Sequence, residues 1–353
     1  MPALAQGAPL PAGEDAFVLL ITDRPDLRRT LARGIDLVMP CRTVPAWPPG
    51  GVRPALVVID LPGLAADAVR VETAWTPTLV LERDALRRRA ASPILKILPA
   101  AAPREAILAD AFAMIEVAAV RTRRLDARSA AATGIVSEIF DSAALGAGFQ
   151  PSEIDRGTDI VLAAVSEVGI ADWLATVWRH DAGVYQHTLG VAGYAAAFGT
   201  RVGLSRADRH RLTKSALLHD IGKARIPVEI LNKPGRLTPE EMRLMRRHPE
   251  IGAGLLDAQG GFDPAIVAVV RHHHEKLDGT GYPAGLRDHA IPDLVRIVAI
   301  CDVFSALTER RTYRDPVAAP EALATMERMR GHLDGALMRA FAPVALGRAM
   351  EAA

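Results

Sequence analysis

Cysteine is nearly absent from this chain: Cys41 and Cys301 are the only two among 353 residues. Two thiols this far apart make no disulfide framework, so the fold has to rest on its cores and suits a reducing compartment. Aromatic residues are 5% of the chain against 50% hydrophobic residues overall, which leaves Ala, Leu, Val and Ile to build those cores. A formal charge of +1 gives no global pull toward a nucleic-acid polymer or an anionic membrane, so any phosphate recognition has to be local. Lysine is scarce as well, with five residues at positions 96, 214, 223, 233 and 276. Arg or Asp interrupts every apolar run before it reaches the length of a membrane span. Residues 1–15 read as a disordered lead without the basic and apolar regions of a secretory signal. The expectation is a cytoplasmic protein with neither membrane nor nucleic-acid polymer as partner.

What is present divides into two halves, and the length suffices for two domains. The runs FVLLITD from Phe17, PALVVIDLP ending near Asp60, TPTLVLE from Thr76 and PILKIL from Pro93 alternate with helix-like stretches, and PREAILADAFAMIEVA from Pro103 has helical spacing. Short buried strands alternating with helices predict a parallel α/β sheet. This half resembles the receiver domains of response regulators, with Asp60 at the phosphoacceptor place and Asp23 at one magnesium-holding acid. The pattern departs where phosphoryl chemistry needs it: Thr22 replaces the paired acid, VLERD lacks the hydroxyl residue, and Pro-Ala at Pro99 replaces the lysine, Lys96 lying inside the strand run. The expectation is a degenerate receiver-like module whose Asp60 is not phosphorylated.

Between the halves, a basic cluster RTRRLDAR from Arg121 leads into an apolar stripe at Ile135, Val136, Ile139 and Phe140. Such a stripe serves either packing between domains or a homodimer formed through the linker helix. GAGFQPSE from Gly146 marks a boundary. Beyond it every pattern is helical, including one long helix from Gly157 to Asp181, a helix from Ser205 through LTKSALLHDIGK, and a capping box at Thr238 and Glu241.

All ten histidines fall in this second half. In LLHDIGK a buried apolar run ends at His219 and Asp220, and an ionised carboxylate in a dry site costs several kcal/mol unless a cation compensates. Adjacent side chains on a helix diverge by about 100°, so His219 can hold one divalent ion while Asp220 reaches a second. Lys223, one turn on, could meet a phosphate oxygen. HHHEKLDGTGYP from His272 joins imidazoles to a turn in which Gly279 and Gly281 permit backbone conformations closed to other residues. Asp302 is a lone acid in a strongly apolar helix, and Cys301 beside it either faces the core or sits as a redox-sensitive group near the site.

His187, HDIGK from His219, KPGRLTPEE from Lys233, His248-Pro249 followed by Gly252, HHEKLDGTGYP from His273, and RIVAICDVFSALTERRTYR from Arg296 together resemble the HD-GYP family. The resemblance covers about residues 150–345. With the first half this gives two domains: an N-terminal α/β receiver-like parallel sheet over 16–120, then a linker helix over 121–150 and, as the resemblance implies, a C-terminal all-α HD-type helical bundle over 151–345. It implies metal ligands at His187, His219, Asp220, His248, His273, His274 and Asp302, two divalent ions, iron or manganese, and Asp220 bridging them with a hydroxide that attacks phosphorus. Some members bind a third metal through a Glu where this chain has Gly183, which favours two metals; His272 lies outside the pattern. Lys223 would stabilise charge on phosphate, Asp278, Gly279, Gly281 and Tyr282 would shape the substrate pocket, with Pro283 stiffening the loop, and Arg311, Tyr313 and Arg314 would lie near the substrate. The implied activity is hydrolysis of cyclic di-GMP to pGpG in bacterial signalling, with a further step to GMP left open. Two alternatives stay open: a phosphodiesterase for another cyclic dinucleotide, and a non-hydrolytic sensor or adaptor acting through signalling protein partners.

Overall fold

The structure is a computed structural model that describes residues 16–46, 54–62, 76–83, 95–179, 184–309, 316–329 and 331–347. The expectations for residues 1–15, for Gly183, and for Arg311, Tyr313 and Arg314 lie outside the described residues. The chain divides into two compact units, Met1–Arg124 and Leu125–Ala353.

In the first unit five parallel strands, β1 (Val18–Thr22), β2 (Cys41–Val44), β3 (Leu56–Asp60), β4 (Thr78–Glu82) and β5 (Leu95–Pro99), form a sheet of order β2-β1-β3-β4-β5. That is the flavodoxin-like doubly wound order, in which functional groups gather at the carboxyl ends of the strands. Every residue of β1 and β3 is buried, as continuous apolar runs require when both faces of a strand are covered. On one face Val18, Leu20, Leu56, Val58, Leu79 and Leu81 pack with Leu31 and Ile35 of helix α1 (Pro25–Ile35) and with Ile107, Ala111 and Ile115 at the start of α2 (Arg104–Leu145). Strand β2 was not signalled by the sequence, because CRTV is a half-buried edge with two polar residues.

Asp60 ends β3 in register with Thr22 of β1. Its carboxylate, fully buried, accepts from Thr22 Oγ1 at 2.6 Å, from Arg24 Nε and Nη2 at 2.8 Å each, and from Arg83 Nε and Nη2 at 2.8 Å each. Arg83 also bonds Asp23. Burial pushes the Asp60 carboxyl up, but Arg83, Arg24 and Thr22 together hold it below the usual carboxylate range. Two guanidiniums therefore stand where a phosphoryl acceptor would need a metal ion and open lone pairs. Lys96, on exposed β5, pairs with Asp110 at 2.5 Å.

The second unit is helical. Helix α2 is one continuous element of 42 residues, and the stripe Ile135, Val136, Ile139 and Phe140 on its second half is buried in the helical unit's own core, with Ile135 packed against Gly157. That stripe presents no exposed apolar face to a second chain. The predicted long helix from Gly157 is two: α3 (Pro151–Val168) and α4 (Ile170–Val177) break at Gly169, whose φ of 82° no helix interior accommodates. Then follow α5 (Val184–Arg201), α6 (Arg206–Leu218), a 3-10 segment Ile221–Arg225, α7 (Val228–Leu231), α8 (Pro239–Met245), α9 (His248–Gln259), α10 (Pro264–His272), α11 (Asp293–Thr308), α12 (Ala319–Arg328) and α13 (Gly335–Ala345). The predicted capping box at Thr238 forms with both bonds in place, whereas Ser205 caps α6 while its hydroxyl donates to Asp208. Trp173, Phe198, Phe304 and Phe341 fill the centre of this core. No helix among the described residues is long and apolar enough to cross a membrane.

Candidate metal centre

Helix α6 stops at Leu218 rather than running on, so His219 is its last capping residue and Asp220 begins a turn into the 3-10 segment. Both are buried. His187 comes from α5, His248 opens α9, His273 and His274 follow the last turn of α10, and Asp302 lies midway along α11. The fold brings all seven expected ligands together as two groups, Asp220 with His248, His273 and His274, and His187 with His219 and Asp302.

Asp220 joins the groups. Its Oδ1 lies 3.2 Å from His248 Nε2 and 3.8 Å from His273 Nε2, while Oδ2 lies 3.3 Å from His219 Nε2 and 3.9 Å from His187 Nε2. Asp302 reaches His187 Nε2 at 2.9 Å with Oδ1 and His274 Nδ1 at 3.9 Å with Oδ2. The bridging role expected of Asp220 thus has a geometric basis, one oxygen turned to each group.

The proton inventory tests whether a cation belongs here. His219, His248 and His273 each donate Nδ1–H to a backbone carbonyl three residues earlier, Ala216 at 2.7 Å, Met245 at 2.8 Å and Val270 at 2.9 Å. A neutral imidazole has one N–H, so each Nε2 carries a lone pair. Those of His248 and His273 face each other at 3.2 Å. His219 Nε2 and Asp220 Oδ1 are buried without a hydrogen bond. Convergent buried acceptors with no donor among them repel one another and lose their hydration, and a divalent cation satisfies them. Burial also holds His274 down to about 3 and His273 well below the ordinary imidazole value, which keeps both rings neutral as ligation requires. For Asp220, burial alone would raise the carboxyl, but the Lys223 ammonium beside it is the largest of the opposing influences that hold it well below the ordinary range.

Around this centre the other expected residues take distinct places. Lys223 donates to Asp220 Oδ2 at 2.6 Å from the 3-10 segment. Tyr282 lays its ring 4.8 Å from that of His274, and the Arg246 guanidinium stands 5.2 Å from the same ring. Asp278 accepts from Thr280 N and Oγ1 at 2.9 and 2.7 Å, so its carboxylate closes the loop's own turn. Gly279 has φ 77°, as expected of it. Gly281 does not take a positive φ; its requirement is space, since a Cβ there would lie 2.4 Å from Lys276 N and 2.6 Å from His274 O. The Tyr282–Pro283 peptide is cis. His272 belongs to neither ligand group and lies 3.6 Å from Glu275. Cys301 faces the core, where burial pushes its thiol up.

Two residues that sequence reasoning passed over hold the centre in place. Glu275, buried, accepts the backbone N–H groups of Ala284 at 2.7 Å and Leu286 at 3.0 Å and so ties the loop after Tyr282 to the end of α10. Its signal was present, as a charged residue directly after two ligands. Glu309, also buried, accepts His187 Nδ1–H at 2.8 Å. Burial would lower the His187 pKa, but Asp302 and Glu309 outweigh it and push it up to about 9.

Residues 173–337 match the HD domain family. A cyclic di-GMP phosphodiesterase of Pseudomonas aeruginosa is 41% identical over 161 residues, 46% of this chain and 39% of its own. The cyclic di-GMP phosphodiesterase response regulator RpfG of Xanthomonas campestris pv. campestris is 44% identical over 144 residues, 40% of this chain and 37% of its own. The chain spans less than half the length of these relatives. Among solved structures, an HDG"Y"P protein from Bdellovibrio bacteriovorus aligns with a TM-score of 0.53 at 22% identity over 64% of this chain and 73% of its own, a likeness of fold. Residues 173–337 thus match an HD domain, and the ligand-type residues from His187 to Asp302 within that match are the ones the fold brings together at the candidate metal centre.

Proposed function

We propose that the helical unit is a metal-dependent phosphodiesterase that opens cyclic di-GMP to pGpG, with chromatography of the products to decide whether a second step yields GMP. The observation that supports this most is the pair of ligand groups with one Asp220 oxygen turned to each, His219 Nε2 and Asp220 Oδ1 being buried there without a hydrogen bond. His248, His273, His274 and Asp220 Oδ1 would hold one ion, and His187, His219, Asp302 and Asp220 Oδ2 a second, with iron or manganese suited to imidazole and carboxylate ligands. Bound there, the ions would supply Lewis-acid stabilisation of the phosphoryl oxygens and activation of water for in-line attack. The chain's own residues supply position and charge. Asp220 holds the two groups in one register, Lys223 keeps a cation beside Asp220 Oδ2 where charge builds on phosphate, and Tyr282 offers a ring face at the mouth of the site for a guanine. Arg311 and Arg314 are candidates for the remaining phosphate.

The substrate class rests on the relatives' names. A Vibrio cholerae relative, 39% identical over 141 residues, is a 3'3'-cGAMP-specific phosphodiesterase, so hydrolysis of a mixed cyclic dinucleotide is the second reading. The test is to incubate Mn2+- or Fe2+-loaded protein with each cyclic dinucleotide and separate the products by chromatography. Linear dinucleotide should appear, and His219→Ala and Asp220→Ala should abolish it. Variants as fast as the parent would refute the metal mechanism, and binding without turnover in the loaded parent would leave a sensor or adaptor.

A further inference from the structure

Glu309 occupies a costly place. A carboxylate at a helix C-terminus opposes the helix dipole, and burying it adds a desolvation penalty. Its backbone leaves α11 there, with φ −75° and ψ 148°, and the side chain turns back to α5, 122 residues earlier in the chain. Asp302 and Glu309 are seven residues apart, two turns along one face of the same helix. Between them they take both nitrogens of a single ring, Asp302 at His187 Nε2 and Glu309 at His187 Nδ1. His219, His248 and His273 rest their Nδ1 atoms on neutral backbone carbonyls. Of these four imidazoles, His187 alone has a carboxylate behind it. A carboxylate fixes the tautomer as a carbonyl does, and makes the opposite nitrogen a more basic ligand.

We propose that Glu309 is a positioning residue for one half of the dinuclear centre: by holding the His187 Nδ1 proton it presents Nε2 to the ion shared with His219 and Asp302 and selectively tightens that ion. The proposal rests on the dinuclear reading above. The two ions are then unequal by construction, the one beside His187 depending on a residue that touches no ion.

The experiment is a titration of metal-free full-length chain with Mn2+, followed by calorimetry and electron paramagnetic resonance, for the parent, E309A, E309Q, H187A and the double variant H187A/E309A. The parent should take up two ions. E309A should bind one ion as the parent does and the other about 10–100-fold more weakly. E309Q, which keeps the shape and an acceptor oxygen but not the charge, should fall between. The double variant should be no worse than H187A alone, because both changes act on the same ion. Two ions at parental affinity in E309A, equal weakening of both ions, or additive loss in the double variant would each overturn the proposal. Equal weakening with a lowered melting temperature of the metal-free variant would mark Glu309 as a structural cap. Fewer than two ions in the parent would overturn the dinuclear reading itself, before any variant is compared, and the proposal with it.

Discussion

Replacing Gly222 with Ala should separate the motif carrying Asp220 from the one carrying His248. The ideal Cβ at Gly222 lies 1.9 Å from the His248 carbonyl oxygen and 2.6 Å from Gly252 N, both backbone atoms that cannot rotate away. An unstrained C···O contact is about 3.3 Å, so the 3-10 segment and the first turn of α9 must part by about 1.4 Å. Overpacking of this kind costs about 1–3 kcal/mol in stability. The effect on chemistry is larger: His248 Nε2 and Asp220 Oδ1, now 3.2 Å apart, belong to the two segments being pushed apart, and a displacement of about 1 Å in a catalytic array costs about 100-fold in rate. The assay pairs urea melts of metal-free protein with turnover of cyclic di-GMP at saturating Mn2+. A folded Gly222→Ala protein with its urea midpoint modestly lowered and kcat reduced about 100-fold is the expected result. Turnover within twofold of the parent would refute the reasoning, since the backbone contact would then carry no positional information.

Acetyl phosphate should not label Asp60, because Thr22, Arg24 and Arg83 already occupy both carboxylate oxygens; a phosphorylated species seen by mass spectrometry and lost in Asp60→Asn would refute this. The metal-free protein should be most stable near pH 6.5. His187 is raised from 6.5 to about 9, so its contribution is complete below the unfolded value and is lost as pH rises through 9; His274 is lowered to about 3, so its contribution is complete above 6.5 and is lost as pH falls toward 3. Calorimetric melting in a chelator from pH 5 to 9 checks this, and a melting temperature that climbs steadily from pH 6.5 to 9 would contradict the His187 part.

Much of the candidate site was legible because its chemistry is awkward. His219-Asp220 at the end of an apolar run, His273-His274 beside a glycine-rich turn and Asp302 inside an apolar helix stand out locally, while the full ligand set, His187 and His248 included, came from the resemblance to the HD-GYP family. Glu309 was not legible, since a Glu just past a helix end reads as a solvated charge. Arg24 and Arg83 carried no signal either, yet they close on Asp60 from positions 36 and 23 residues away. Gly281 was assigned the right importance on the wrong ground, because a sequence carries no sign of φ and none of how near His274 O would come.

By itself, then, the amino-acid order determined that the first half is a parallel sheet and the second helical, that acids and imidazoles able to ligate lie in the second half, and that Asp60 lacks the paired acid, hydroxyl and lysine of a receiver's phosphoacceptor site. The first two follow from residue type and short-range periodicity, which are local, and the third from comparison with the receiver pattern. Only the tertiary structure decided that Asp220 turns one oxygen to each ligand group, that the stripe at Ile135 is buried in the helical unit's own core, and that His187 alone among the four N–H-tethered imidazoles rests on a carboxylate. Those are relations between atoms brought together from distant parts of the chain, and packing sets them.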